Sequence, residues 1–414
     1  MACTGPDRAR ALGPASATDD GEIEQTGSSG ATTGSLVSLP PHQGTALEKS
    51  VETLAKPNAA RENISFAKLE SASGKVVGDL SAAMVGLVCA LGDRLGILKD
   101  LAAHDWTTSD DLALRVGIDR RYAREWLNAM ACAGYVEFDA ASRSFRMTRE
   151  YALLLADDQS AMFMGGAYQL LLGLSAPLGQ LETASRRGDG VPQSAYDDNL
   201  RIGMERMSAP WFEHLLVQQW IGGLPYLREK LASGLEAADV GCGSGRALIK
   251  LAKAFPGSRF VGYDICQPAL DRAKMNADIA GVANRVRFES RDISLGLPTG
   301  FDLITMFNSL HDVVDTHAAL TAIRKALRHD GTYLLLETRC APDLEDNIGP
   351  FGTIMYGTSL LYSLPVAIAN GGTGIGTMGL PAPKLRELCE AADFGTVRQL
   401  AVMNPFHALF EMRP

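Results

Sequence analysis

The stretch Ala238-Asp-Val-Gly-Cys-Gly-Ser-Gly-Arg246 decides the fold of this chain. It follows a short apolar run and precedes a helical pattern from Ala247 to Phe255, so it predicts a buried strand, a tight turn and a helix. Gly241, Gly243 and Gly245 keep the turn free of side chains, so a ligand can lie against backbone N–H groups at the start of the helix.

Two carboxylates flank this turn. Asp264 ends the next predicted strand, and an ionised carboxylate there suits a ribose diol because it accepts both hydroxyl hydrogens. Asp239 would repel a pyrophosphate but can face an ammonium group. Dinucleotide sites use G-x-G-x-x-G, whereas these glycines fall at every second position. The residues therefore favour S-adenosylmethionine over NAD, and a glycine-rich turn without a ligand is the alternative.

The stretch resembles the first motif of the class I S-adenosylmethionine-dependent methyltransferases, D/E-x-G-x-G-x-G. The resemblance runs from Asn63 to the end of the chain. It is closest to winged-helix methyltransferases of the caffeic-acid and hydroxyindole O-methyltransferase type and to bacterial ones labelled as regulators. It implies an α/β fold with a Rossmann-like, doubly wound sheet behind a helical, winged-helix domain. The cofactor contacts that we expect are Asp239, Gly241, Cys242, Gly243, Gly245, Asp264, Asp292, Ile293 and Asn308.

A buried fourth strand, Phe301 to Phe307, is predicted to bring Asn308-Ser-Leu-His311-Asp312 to the carboxyl edge of the sheet. In the resembled family a His-Asp pair at this place contributes the general base. Imidazole titrates near neutral pH and can take the proton of a phenol. We therefore predict His311 and Asp312 as catalytic residues. The alternatives are that His311 caps the next helix or only contacts the cofactor, and that Asp292 caps a turn.

Composition limits the classes of protein that this chain can represent. Its 414 residues predict two or three domains, and its formal charge of −9 argues against general adhesion to nucleic acid. Its longest apolar runs are interrupted and fall short of a membrane span, so we expect no membrane anchor. Seven cysteines without a C-x-x-C pair indicate a reducing compartment, and we expect a cytoplasmic protein.

Four segments are predicted along the chain. Residues 1-60 lack apolar periodicity and are predicted to be a disordered tail, whose acidic residues argue against an organellar presequence. Residues 61-150 show the order helix, turn, helix, hairpin of a winged helix. Between Ser109 and Glu150 there are seven basic and seven acidic residues, so this segment lacks the net positive charge of a DNA-binding module. The resemblance therefore favours a homodimer through this domain over DNA binding.

The other two segments complete the predicted organisation. Residues 151-225 form a helical connector rich in Met and aromatic residues, mostly core, although Tyr168 or Trp211 could instead cover a substrate pocket. Residues 226-414 alternate strands and helices and form the cofactor-binding domain. Within it, Cys340 to Pro383 predicts a long glycine-rich loop, which the resemblance implies to be a cap over the substrate, and the chain is predicted to end in an antiparallel hairpin.

A catalytic metal is not predicted, because Asp312 with Asp343 or with Asp346-Asn347 has loose spacing for a metal site. The leading hypothesis is a small-molecule methyltransferase, with O-methylation favoured over N-, C- or S-methylation, acting on an apolar or aromatic acceptor. The alternative is a transcriptional regulator or sensor that binds S-adenosylmethionine without turnover.

Overall fold

The computed structural model of the protein describes residues 64–402, 404 and 406–414. The tail predicted for residues 1-60 lies outside them. Residues 72–414 form one compact unit.

The winged-helix prediction is confirmed. The Thr108 side chain accepts from the Asp111 backbone N and caps one helix, and Asp119 caps the next by accepting from Arg121 N. Gly117, with φ +73°, turns the chain between them. In chain order the elements are α1 (Phe66–Arg94), α2 (Ile97–Ala103), α3 (Ser109–Val116), α4 (Arg120–Cys132), β1 (Glu137–Asp139) and β2 (Ser144–Arg146).

The connector is helical throughout most of its length. Its elements are α5 (Arg149–Leu155), α6 (Gly165–Ser175), α7 (Leu178–Arg187), α8 (Asp198–Trp211), a π-helical continuation of α8 (Phe212–Ile221) and α9 (Pro225–Ser233). Helices α6 and α8 pack with their backbones in direct contact. A Cβ at Gly173 would lie 2.2 Å from Leu200 N, and a Cβ at Gly203 would lie 2.5 Å from Leu170 N. The glycines therefore fix α8 rigidly against α6.

The rest of the chain contains a seven-stranded sheet with the strand order β5 (Val286–Ser290), β4 (Arg259–Asp264), β3 (Glu236–Val240), β6 (Phe301–Phe307), β7 (Leu327–Thr338), β9 (His407–Arg413) and β8 (Thr396–Leu400). Strands β3 to β7 are parallel, and β9 pairs antiparallel between β7 and β8. Its elements are β3 (Glu236–Val240), α10 (Arg246–Ala254), β4 (Arg259–Asp264), α11 (Gln267–Ile279), β5 (Val286–Ser290), β6 (Phe301–Phe307), α12 (Thr316–Ala326), β7 (Leu327–Thr338), α13 (Pro350–Thr358), α14 (Leu364–Ala369), α15 (Ala382–Ala391), β8 (Thr396–Leu400) and β9 (His407–Arg413).

Helices cover both faces of this sheet. Leu248 and Leu270, from α10 and α11, belong to one apolar cluster, whereas Leu320 and Leu385, from α12 and α15, belong to another. The doubly wound α/β fold and the terminal hairpin are thus confirmed. The predicted domain boundary at residue 226 lies in α9, ahead of the first strand of the sheet, and stays a prediction.

The loop predicted for Cys340 to Pro383 is wrong over much of its length. Helix α13, a π-helical turn (Ser359–Ser363) and α14 run without a break from Pro350 to Ala369. Gly352 and Gly357 are the only glycines in this helix, whereas most glycines of the segment follow it. The high glycine content of the whole segment therefore concealed the helix, because most of that glycine lies outside it.

Two helices are long and apolar enough to cross a membrane by length and composition alone. They are Phe66–Arg94 and Pro350–Ala369, and 22% and 33% of their most apolar windows are buried. Both helices are longer than the uninterrupted apolar runs of the sequence, because glycine and hydroxyl residues and, in Phe66–Arg94, charged residues lie within them.

Replacing Gly173 with Ala should lower the free energy of unfolding by about 1–3 kcal/mol, because the new methyl group would force the α6 and α8 backbones apart. Gly179→Ala in α7 is the matched control. A Cβ there meets no atom within 4 Å, so this change should be neutral or stabilise by up to about 1 kcal/mol. Urea unfolding followed by circular dichroism measures both, and equal stability of the two variants would contradict the close packing.

Candidate functional site

The glycine turn after β3 has the backbone that its sequence predicts. Gly241, Gly243 and Gly245 have φ values of +69°, +52° and +75°, which strain other residues. A Cβ at Gly241 would lie 2.4 Å from Ser309 Oγ, whereas a Cβ at Gly243 would meet nothing within 4 Å. The turn thus packs against the segment after β6 on one side and leaves open space at Gly243.

Asp264 connects this turn to the end of β4. Its Oδ2 accepts a hydrogen bond from Gly243 N at 2.8 Å, and its Oδ1 accepts from Cys266 N at 2.8 Å. Burial raises the pKa of the Asp264 carboxyl, and the backbone donors partly oppose that effect. A carboxylate has more lone pairs than these two bonds use, so Asp264 can still accept from a ligand hydroxyl.

Asp239 lies deeper in the sheet, in β3 between β4 and β6, and is 2% exposed. Its Oδ1 accepts from Thr305 Oγ1 at 2.7 Å. Burial raises the pKa of Asp239 to about 7, and the nearby Asp264 charge adds to the rise. A cation near Asp239 would favour its ionised form.

The remaining predicted cofactor residues surround the same edge but make different contacts. Asp292 caps the turn after β5, since it accepts from Ser294 N at 2.9 Å and from Ser294 Oγ at 2.7 Å. Cys242 and Ile293 are buried in the two clusters that cover the sheet. Asn308 directly follows β6 with φ +56°, and its Oδ1 accepts from Thr338 Oγ1 at 3.1 Å. Cofactor contacts by these residues stay predictions.

His311 lies in the short turn after β6 and is paired with a residue that sequence reasoning missed. Its Nδ1 lies 2.7 Å from Glu337 Oε2, and both side chains are almost fully buried, with 3% and 1% exposed. Glu337 Oε1 also accepts from Leu310 N at 2.8 Å. The predicted partner Asp312 is farther away, with its Oδ1 3.5 Å from His311 Nε2. The available signal was an acidic residue, Glu337, directly after the apolar run Tyr333 to Leu336, because buried charges are normally paired.

This pairing determines the protonation of His311. Burial alone lowers the pKa of the imidazole, but the charges of Glu337 and Asp312 and the Glu337 hydrogen bond outweigh burial and raise that pKa to about 9. Nδ1 faces the Glu337 carboxylate and therefore carries a hydrogen. Nε2 is the nitrogen that can gain or lose a proton.

Aromatic rings pack at the carboxyl ends of β6 and β7, the strands on either side of this pair. The Trp211 ring centroid is 4.4 Å from that of His407, which pairs with Thr338 at the end of β7. Burial lowers the pKa of His407 to about 4, so its ring is neutral. Phe307, the last residue of β6, packs against Phe212 at 5.4 Å. These four rings, which pack where β6 and β7 end, are referred to as the aromatic wall.

Tyr168, the other residue suggested as a pocket cover, lies elsewhere. It packs against the winged-helix core, and its hydroxyl is 3.0 Å from that of Tyr135. The Asn347 amide, considered as a metal ligand, bonds to the Ala341 and Asp343 backbone. Within the residues that the structure describes, no three His, Cys, Asp or Glu side chains are grouped as a metal site.

Two segments match known sequence families. Residues 238–333 match a family described as a methyltransferase domain, and residues 83–157 match the Rv2258c-like winged HTH domain. O-demethylpuromycin-O-methyltransferase of Streptomyces alboniger is 31% identical over 28% of this chain and 31% of its own length. Release factor glutamine methyltransferase of Chlorobaculum tepidum is 45% identical over 17% of this chain and 26% of its own length. The chain thus spans about a third or less of these two relatives.

Solved structures share the fold over most of this chain. Mitomycin 7-O-methyltransferase has a TM-score of 0.63 at 18% identity and covers 84% of this chain and 99% of its own. Human N-acetylserotonin methyltransferase, solved in complex with SAM, has a TM-score of 0.55 at 18% identity, covering 86% and 99%. At these identities the likeness establishes the fold, which is the class I methyltransferase fold behind a winged-helix domain.

Replacing Glu337 with Gln should lower the pKa of His311 from about 9 toward its ordinary value of 6.5, because the nearest opposing charge is lost while burial remains. NMR titration of labelled histidine in the ligand-free protein measures the change. Glu411→Gln, at another buried carboxylate of the same sheet, is the control and should leave His311 unaltered. An unchanged His311 titration in the Glu337 variant would show that this carboxylate does not control the imidazole.

Proposed function

We propose that this chain, which carries a methyltransferase domain and a winged HTH domain, is an S-adenosylmethionine-dependent O-methyltransferase of small aromatic or apolar acceptors. The observation that carries the proposal is the buried His311–Glu337 pair beside the glycine turn. Ser309, two residues before His311, contacts this turn, since its Oγ donates to Val240 O at 3.4 Å. Cofactor cradle and proton acceptor therefore belong to one site.

The residues of the turn fit the proposed cofactor. Open space at Gly243 allows a ligand to approach the backbone, and Asp264 retains acceptor capacity for ribose hydroxyls. Asp239 offers a buried carboxylate whose charge an ammonium group would stabilise. When bound, S-adenosylmethionine supplies an electrophilic methyl group on a sulfonium. Asp292, Ile293, Asn308 and Cys242 complete the proposed contacts.

His311 acts as the general base in this proposal. Glu337 holds Nδ1 at 2.7 Å and fixes the ring, so Nε2 takes the acceptor proton. The Glu337 and Asp312 charges that raise the pKa of His311 to about 9 also stabilise the imidazolium that results. The raised pKa leaves most of the free enzyme protonated at neutral pH, so the deprotonated fraction is the active one. Asp312, 3.5 Å from Nε2, is proposed to orient the acceptor or the protonated ring.

The aromatic wall supports the class of acceptor. Trp211 and Phe212 come from the connector, whereas Phe307 and His407 come from the sheet, and their rings pack in pairs at 4.4 Å and 5.4 Å. Flat, apolar side chains favour planar, apolar ligands because both surfaces leave water on binding. A neutral His407 is compatible with such a ligand.

The rival proposal is a regulator that binds the cofactor without turnover. A sensor needs the glycine turn and its two carboxylates but has no need for an imidazole held by a buried carboxylate. The His311–Glu337 pair therefore favours the enzyme. Transfer of labelled methyl groups to a panel of phenols, amines and thiols separates the two, because a sensor transfers none.

Replacing His311 with Gln should lower turnover of the best phenolic acceptor by about 10²–10⁴-fold while leaving affinity for S-adenosylhomocysteine unchanged. Glutamine keeps a polar side chain but cannot take the proton. Radiometric turnover and calorimetry provide the two measurements. The control is His329→Gln, whose side chain is 96% exposed. Full turnover in the His311 variant would remove the base assignment.

We further propose a cytoplasmic homodimer formed through the N-terminal domain. Six apolar side chains follow one another along α1 at helical spacing and are each about half or more exposed: Val76, Val77, Leu80, Met84, Leu87 and Leu91. A contiguous apolar face of this kind is typical of a protein interface. The balanced charge of the winged helix makes a second copy a better partner than DNA.

The double replacement Leu80→Glu and Leu87→Glu should convert the proposed dimer to a monomer, because two carboxylates would be buried without partners at the interface. Sedimentation equilibrium at micromolar concentration measures the mass. Leu114→Glu is the control, since this winged-helix residue is 83% exposed and lies off the α1 face. A monomeric unmodified protein would overturn the proposal.

A further inference from the structure

Glu205 is a buried carboxylate that the proposed reaction does not use. It lies in α8, and only 5% of its side chain is exposed. Its Oε1 accepts from Arg246 Nε at 2.9 Å, and its Oε2 accepts from Arg272 Nε at 2.6 Å. Both arginines are less buried, with 43% and 39% of their side chains exposed. A buried acidic group with two arginine partners therefore joins three helices.

The two arginines lie on the helices that follow the proposed cofactor turns. Arg246 is the first residue of α10, directly after Gly245. Arg272 lies in α11, the helix after the turn at Asp264. The Asn276 side chain of α11 also donates to Ser244 O at 3.0 Å, inside the glycine turn. Glu205 thus connects the helix after the glycine turn with the helix after Asp264 through one carboxylate.

Helix α8 provides a rigid base for this carboxylate. It packs against α6 through Gly166, Gly173 and Gly203, where an added Cβ would lie within 2.8 Å of backbone atoms. The next residue, Arg206, binds in the other direction. Its guanidinium lies 2.6 Å from Asp93 and 3.1 Å from Asp158. Adjacent residues of one helix therefore bind the cofactor domain and the end of α1.

We propose that Glu205 is a positioning residue for S-adenosylmethionine. Through Arg246 and Arg272 it holds the two cofactor turns at a fixed separation, and Arg206 fixes the same helix to the N-terminal domain. The inference rests on the proposed function, because it concerns the same cofactor. It adds a determinant of cofactor affinity that lies on the connector, outside the methyltransferase domain.

The physical reason is preorganisation. Charge-assisted hydrogen bonds are stronger than neutral ones, and a carboxylate shared by two guanidinium groups limits the movement of both helices. Without the charge, the two helices and the turns before them can separate in the free protein. Cofactor binding must then restore their positions, which weakens affinity. Because both arginines reach water, loss of the charge leaves no stranded buried cation and the fold should survive.

The test compares Glu205→Gln with Glu213→Gln. Glu213, in the π-helical continuation of α8, pairs with Lys250 of α10. The Glu213 side chain is 55% exposed, so this surface pair should contribute little to the position of α10. We expect the Kd of S-adenosylhomocysteine, measured by calorimetry, to rise about tenfold or more in the Glu205 variant and to stay within about twofold in the control. The KM for the methyl donor should rise in parallel, whereas kcat at saturation should change little.

Hydrogen exchange of the ligand-free proteins supplies a readout independent of binding. Amides of residues 239–246 should exchange faster in the Glu205 variant than in the control, because the charge that binds Arg246 at the end of the turn is lost. If Glu205→Gln does not fold, Arg272→Gln is tested in its place, because the Arg272 side chain is partly exposed and easier to replace. A similar rise in Kd is expected for this variant.

The outcomes separate this inference from the proposed function. Unmodified protein that binds no S-adenosylhomocysteine would overturn the proposed function, and this inference with it. Unmodified protein that binds, together with a Glu205 or Arg272 variant of equal affinity, would overturn the inference alone. A loss of kcat without a change in Kd would also overturn the inference, because a residue that positions the cofactor is expected to change Kd and to leave kcat nearly unaltered.

Discussion

An imidazole and a carboxylate lie 2.7 Å apart where the turn after β6 meets the end of β7, and both are removed from water. Removing two charges from water is costly unless they satisfy each other with good geometry. Here Glu337 bonds to His311 with one oxygen and to the Leu310 backbone with the other. The register of two neighbouring parallel strands therefore fixes the base of the proposed reaction.

The same edge of the sheet gathers the cofactor residues. Parallel strands end on one side, so the turns after β3, β4 and β6 converge there. The contact between Gly241 and Ser309 brings the first and third of these turns together, and the bond from Gly243 N to Asp264 joins the first and second. A substitution at one turn is thus expected to be felt at the others.

The connector does more than separate two domains. Helix α8 is held by glycine contacts to α6, and its last residue Trp211 and the next residue Phe212 pack against rings of the sheet. Arg206 bonds to Asp93 near the end of α1, whereas Glu205 bonds to the helices behind the cofactor turns. One helix thereby links the end of α1, the aromatic wall and the helices behind the proposed cofactor turns.

Local chemistry made much of this predictable from the sequence. Alternating glycines require positive φ values, strands end where polar residues follow apolar runs, and Thr108 and Asp119 cap helices by short-range bonds, so each feature is encoded within a few residues. The sequence by itself determined the doubly wound sheet, the winged helix, the glycine turn and the place of His311.

Only the tertiary structure decided the partners of the charged groups and the helix from Pro350 to Ala369. Glu337 lies 26 residues from His311, and Glu205 lies 41 and 67 residues from Arg246 and Arg272. Such pairings depend on strand register and helix packing, which short-range sequence patterns do not encode.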